Sequence, residues 1–389
     1  MDLVSRRVLS LETGTIISTK PTKMATSPSL FDLLDLDCNS VEERLKLNIR
    51  AVRDIIRRDP SAAATQYKFD SVGGENLYPI FMAVWLAAPV DIIRNLYTAC
   101  PKALGETTSG GWTPLHLAAR SGAEPAVIDF LLQRCPSHAA RKNKLWYTPL
   151  HVACMFEASV DVVRRLVTRY PKGLSERDQR GCVPLHSACL FGASFEVIRL
   201  LVAMRRSALL EKNVNGHTPL HAACGKRASL EIIQLLVTKG QRACGEKDAR
   251  QCTPLHHSVR NQSSKEVVRL LLESHLMNVI ETTNEGKSVL EIAQMTGSSL
   301  EVCRTIESAA ELACLGADSD DDAAALLDTM SDLNWHNGAD MVLYAHPALV
   351  HKIHLDCEVV PSLLEKVGSD NQLQAMFAIV TGMTNLLLS

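Results

Sequence analysis

Thr148-Pro149-Leu150-His151-Val152-Ala153-Cys154 decides the fold, because its first four residues recur at a fixed interval. Thr113-Pro114-Leu115-His116 lies 35 residues earlier, and Val183-Pro184-Leu185-His186, Thr218-Pro219-Leu220-His221 and Thr253-Pro254-Leu255-His256 follow at 35-residue steps. One step further back stands Tyr78-Pro79-Ile80-Phe81, and one step further on Ser288-Val289-Leu290-Glu291. Seven units of one design therefore occupy residues 78–315. The four residues open a helix. A threonine hydroxyl caps orphan N–H groups, proline suits the first helical position because it lacks a donor and presets φ, and leucine starts the buried face. The histidine is alone in its unit, with no second ligand or nucleophile at a shared offset, so it is read as a structural hydrogen-bonding residue.

Each unit continues into a second helix with apolar pairs at i, i+1, i+4 and i+5, for example Val127, Ile128, Leu131 and Leu132, or Val162, Val163, Leu166 and Val167. Such a stripe is wide enough to be buried between neighbours on both sides. Pro101, Pro136 and Pro171 stop these helices at one offset, and where Gln241 and Leu276 replace proline a less sharp end is expected.

A T-P-L-H-x-A motif followed by a second apolar helix resembles the ankyrin repeat. Leu117-Ala118-Ala119, Val152-Ala153-Cys154 and Ala222-Ala223-Cys224 extend the likeness. The resemblance implies an all-α solenoid of helix-turn-helix units with hairpin-like fingers, used mainly for binding proteins through its concave face. The period departs from the usual value of about 33. One extra residue is placed between the two helices, around Ala123-Glu124, and another in the segment leading to the next Thr-Pro; added length costs little in such connections.

Ser40 and Glu43 start the segment that precedes the array, and Ala51, Val52, Ile55, Ile56 and Pro60 repeat the second-helix pattern. Residues 40–77 are thus expected to be a capping half-repeat with a long connection. Residues 1–39 are read as a disordered leader. Within it Leu33-Leu34-Asp35-Leu36-Asp37 is similar to a clathrin-box motif, although docking on the end of the array is the reading favoured by so short a stretch. After Cys314 the register is lost. Residues 316–389 are expected to form an acidic linker followed by short helices, near 326–333, 341–355 and 361–388, that cover the end of the array.

The chain of 389 residues has a net charge of −2, but residues 76–315 carry 28 Lys/Arg against 21 Asp/Glu while residues 316–389 carry 2 against 11. That split raises the expectation that the tail lies along the array and competes with an acidic partner. The basic residues are spread over the units without a basic helix, which argues against nucleic acid. No run approaches the ~20 apolar residues of a membrane span. The 12 cysteines form no CxxC pair, and the column Cys154, Cys189 and Cys224 reads as free thiols packed as small hydrophobes, hence a reducing compartment, cytoplasmic or nuclear.

No phosphate loop, HExxH or GxSxG is present, so a non-enzymatic, cofactor-free, monomeric scaffold or adaptor is expected. The rival reading is a regulatory or metal-dependent protein whose segment 316–389 carries the function, with His346, His351, His354 and Cys357 as its ligand set. For the scaffold, the partner surface is expected where large apolar and Arg side chains replace the usual polar ones: Trp112, Arg120, Leu145, Trp146, Tyr147, Met155, Phe156, Arg180, Leu190, Phe191 and His217.

Overall fold

Before four of the first helices a threonine or serine has extended backbone, and its hydroxyl accepts the N–H of the third helical residue: Thr113 from His116, Thr148 from His151, Thr218 from His221 and Ser288 from Glu291. Seven helix pairs follow one another in the computed structural model, which describes residues 28–314, 320–335, 337–338 and 341–342. The described residues form an all-α fold of repeated helix pairs, with one two-stranded hairpin.

Three helices precede the array: α1 (Leu30–Leu34), α2 (Val41–Leu45) and α3 (Ile49–Arg58). A hairpin of β1 (Tyr67–Phe69) and β2 (Glu75–Leu77) then pairs antiparallel, Tyr67 opposite Leu77. The first and second helices of the repeats are α4 (Pro79–Trp85) and α5 (Val90–Ala99), α6 (Pro114–Ser121) and α7 (Pro125–Arg134), α8 (Pro149–Met155) and α9 (Val160–Arg169), α10 (Pro184–Phe191) and α11 (Phe195–Met204), α12 (Pro219–Gly225) and α13 (Leu230–Lys239), α14 (Pro254–Arg260) and α15 (Lys265–Ser274), α16 (Val289–Met295) and α17 (Leu300–Cys314). α18 (Asp320–Asp332) follows. The chain divides into two compact units between Ala208 and Leu209. The first holds α1 to α11 and the second α12 to α18.

In the first unit, first helices pack side by side, α4 on α6, α6 on α8 and α8 on α10, with second helices behind them. The motif leucines Leu115, Leu150 and Leu185 are at most 3% exposed, as are the stripe residues Val127, Ile128, Val162 and Val163. Burying a leucine or isoleucine side chain stabilises by roughly 1.5–3 kcal/mol before entropy is charged. α1 differs from the leader expectation. Ser29 caps it, Leu30 and Leu34 are buried, and it packs on α3 and α4, so part of residues 1–39 belongs to the array's end. Phe31 stacks between Tyr67 and Phe69 of the hairpin.

In the second unit, α12 packs on α14 and α14 on α16, and α18 lies on α17 with Ala323, Leu326 and Met330 buried. Beyond α18, Trp335 is buried, its indole N–H donating to Glu273 Oε1 at 2.9 Å, while Arg269 donates to the Leu333 carbonyl at 2.6 Å. Helices expected near 341–355 and 361–388 lie outside the described residues, apart from 341 and 342.

Two details differ from the sequence reading. Second helices keep their length without proline: α13 and α15 span ten residues, as α7 and α9 do, and tight 3-10 turns begin at Gln241 and Leu276 as they do at Pro136 and Pro171. Packing of the stripe, not the missing donor, ends the helix. Each connection between helices also contains one left-handed residue: Ala87, Gly122, Glu157, Gly192, Arg227, Gln262 and Gly297. This residue reverses the chain between the helices, and four of the seven are not glycine.

The repeat that opens at Val183 lacks the hydroxyl cap. Val183 is fully buried at the position where Thr113, Thr148 and Thr218 accept the N–H of the following histidine, and the two side chains are nearly isosteric. Val183→Thr should therefore stabilise the protein by about 1 kcal/mol. Urea unfolding of the variant checks this, and a lower midpoint would show that the hydroxyl is not accommodated.

Candidate interaction surface

The motif histidines tie one repeat to the next. In the repeats of Thr113, Thr148 and Thr218, the threonine N–H donates to the histidine Nδ1 at 3.1–3.3 Å, which fixes Nδ1 as the unprotonated nitrogen. Nε2–H is then the donor to a finger carbonyl of the following repeat: His116 to Tyr147 O at 2.9 Å, His151 to Cys182 O and His221 to Cys252 O, both at 3.1 Å. All three rings are buried and hold a structural role.

Each finger turns around one polar side chain. Asn143 Oδ1 accepts the N–H groups of Leu145 and Tyr147, Asp178 Oδ1 those of Arg180 and Cys182, Asn213 Oδ1 those of Asn215 and His217, and Asp248 Oδ1 those of Arg250 and Cys252, at 2.8–3.0 Å. Neighbouring fingers are joined by backbone bonds, Lys144 N to Gly110 O and Ala249 N to Asn215 O among them. Lys142 and Glu176 add a half-exposed ion pair at 2.8 Å, worth under about 1 kcal/mol. The finger row is thus a rigid base for whatever its tips display.

In the first unit one of those tips is apolar. The left-handed position of the finger is glycine in four repeats (Gly111, Gly181, Gly216 and Gly286) but Gln251 in one and Trp146 in the third, at φ +63°; Trp146 is 55% exposed, with Lys142 Nζ 5.8 Å from its ring centroid. Leu145 beside it is also exposed. At the ends of the first helices, the Arg120 guanidinium lies 4.4 Å from the Phe156 ring, 5.6 Å from Trp112 and 5.7 Å from Trp85. Arg120 Nη2 also donates to Asn39 Oδ1 at 3.2 Å. Trp85 was not singled out from the sequence; its signal was an aromatic at the end of α4, one unit before Arg120.

The predicted patch is therefore split. Trp112, Arg120, Phe156, Arg180, Leu190 and Phe191 are half-buried, and Leu145 and Trp146 are exposed. Tyr147 and Met155 are buried, each 6% exposed, because Tyr147 backs the finger and Met155 closes its helix; they serve packing. His217 belongs to the second unit, in a group with Asp248 and His257. His346, His351, His354 and Cys357 lie outside the described residues.

The ankyrin-repeat family model matches in three overlapping copies, at residues 80–173, 157–244 and 226–318. The chain belongs to the ankyrin-repeat family. Among solved structures it is similar to the ankyrin repeat domain of Bcl-3, described as a unique member of the IkappaB protein family, at 22% identity and a TM-score of 0.47, over 59% of this chain and 97% of that one. No curated protein matches the chain. Ankyrin repeats generally mediate protein–protein interactions, and no helix among the described residues is long and apolar enough to cross a membrane.

Proposed function

We propose that the chain is a non-catalytic scaffold or adaptor that binds a protein partner on the finger tips and first-helix ends of its first unit. The observation that carries this reading is Trp146. A tryptophan holds a left-handed backbone conformation, at a cost of roughly 1–2 kcal/mol, where four other fingers use glycine, and its ring stands in solvent. Backbone strain of this kind persists where the surroundings over-determine it and is concentrated at functional positions. Leu145 and the Arg120 stack on Trp112 and Phe156 extend the tip into a surface of the residue types enriched at interface cores.

Cysteines packed as small hydrophobes support a reducing compartment, the cytoplasm or nucleus: burial pushes the Cys154 and Cys189 thiols well above their ordinary range, leaving them unreactive.

Trp146→Gly separates binding from folding. Relief of the left-handed strain offsets the added freedom of glycine in the unfolded chain, so stability should change by less than about 1 kcal/mol. Capture of the partner from native lysate by the immobilised full chain should fall at least about tenfold, as for an interface anchor worth more than 1.4 kcal/mol. Undiminished capture by this variant overturns the assignment of the surface.

A further inference from the structure

We propose that His217, Asp248 and His257 form a binding site for a divalent transition-metal ion of the zinc class, with His217 Nε2, Asp248 Oδ2 and His257 Nε2 as the protein ligands. The three residues come from two consecutive repeats of the second unit. His217 closes the finger of one repeat, while Asp248 opens the finger of the next and His257 follows the motif histidine on α14.

The distances suit an ion. His217 Nε2 lies 3.2 Å and His257 Nε2 2.9 Å from Asp248 Oδ2, and the three atoms fall within 4.8 Å of one another. Bonds of about 2.0–2.1 Å in a tetrahedral zinc site place adjacent ligand atoms ~3.3 Å apart; the two distances to Asp248 Oδ2 are within a few tenths of an ångström of that spacing, and side-chain rotation of the two imidazoles sets the third. The Asp248 side chain is 2% exposed and that of His257 13%, whereas His217 at 28% leaves a solvent side where water completes the coordination.

The donors are held in advance. Asp248 Oδ1 is fixed by the N–H groups of Arg250 and Cys252, which turns Oδ2 toward the imidazoles. The His217 ring stacks on His221 at 5.8 Å and 10°, and His221 itself is no ligand, since Nδ1 faces the Thr218 hydroxyl and Nε2 the Cys252 carbonyl. Anchoring of this kind around a ligand set typically accounts for a 10–100-fold share of metal affinity.

The fold does not require these imidazoles. Two repeats earlier the same three positions are Tyr147, Asp178 and Ser187, and Asp178 makes the same finger turn with its Oδ1 alone. His257 occupies a column whose other members include Leu117, Val152 and Ala222. An ion bound here would be coordinated by neutral imidazoles through Nε2, would leave the anionic carboxylate as the charged ligand, and would fasten two repeats together, so binding adds to stability.

The test uses the full chain and zinc chloride after chelator treatment. One equivalent of zinc should bind by calorimetry and raise the unfolding temperature, and cobalt(II) in its place should give ligand-field bands without thiolate charge transfer. Asp248→Asn keeps the turn, because Asn143 and Asn213 perform it in their own repeats, and His257→Leu installs the residue found at Leu117. Both variants should weaken zinc at least about tenfold and abolish the thermal shift. Equal zinc affinity in the variants, no thermal shift in the parent, or thiolate bands with cobalt would each overturn the site.

Discussion

Lowering the pH from about 7 to about 5 is expected to destabilise the repeats by several kcal/mol, because the motif histidines fold only as neutral rings. Burial is the largest cause that pulls His116, His151 and His256 down to about 4 and His221 to about 3; for His116 and His151 it outweighs the opposing hydrogen bond to a finger carbonyl. The donor arrangement gives the same answer, since a proton on Nδ1 would oppose the threonine N–H that already points at it. A base whose pKa is depressed by folding contributes stability that is complete above its unfolded value of about 6.5 and is lost as the pH falls toward the folded value. Between these limits the unfolded chain holds more protons. At about pH 5 the loss is on the order of 2 kcal/mol for each of His116 and His151. Two such losses alone are a large part of the 5–15 kcal/mol that holds a typical domain.

The last repeat is a built-in contrast. Glu291 stands where the motif histidine would be, and its carboxylate accepts the Ser288 N–H at 2.7 Å. Acid unfolding between about pH 6.5 and 4 should therefore begin in the histidine-linked repeats. Thermal unfolding at three pH values checks the effect, with hydrogen exchange to locate it. A melting temperature unchanged between pH 7 and 5 would show that the rings titrate freely and that the inter-repeat bonds are not formed.

The period of 35 and the Thr-Pro-Leu-His column located all seven first helices, because both rest on local chemistry: a cap, a proline and a leucine need no tertiary context. The second-helix stripe was legible for the same reason. What sequence could not supply were the left-handed positions. Gly122, Gly192 and Gly297 advertise theirs, but Ala87, Glu157, Arg227 and Gln262 adopt the same backbone because the flanking helices are already locked by packing. Trp146 and Gln251 do so in the finger, where Gly111 and Gly216 mark the rule.

The candidate surface was half legible. Trp146 stood out as a large apolar side chain where polar ones are usual. Tyr147 and Met155 did not separate from it, since exposure in a repeat depends on the neighbour that covers each column. The His217, Asp248 and His257 group was legible only as a set of departures. His257 stands out in a mostly apolar column, but its partners are 40 and 9 residues away and belong to two different repeats. α1 escaped because a five-residue helix has too little period to read; its Ser29 cap and its burial on α3 and α4 define it.

Leu185→Ala should cost about 2–5 kcal/mol, the range for removing a fully buried leucine and leaving a cavity. Leu185 is 2% exposed on α10, in the column of Leu115 and Leu150, and α10 packs directly on α8. How far the site can collapse decides where in the range the cost falls. Its surroundings have little freedom: the carbonyl of Cys182, three residues earlier, is bonded to His151, and the finger ahead of it is pinned by Asp178. The upper half of the range is therefore expected. Because repeats are stabilised by their neighbours, an interior loss of this size should also broaden or split the unfolding transition. Two further variants make the measurement decisive. Leu185→Met keeps the volume and should cost less than about 1.5 kcal/mol, and Leu300→Ala, at a leucine 69% exposed, should lie within about 0.5 kcal/mol of the parent. If Leu185→Ala and Leu300→Ala unfold at the same denaturant concentration, the motif leucine is not in the core and the repeat register is wrong.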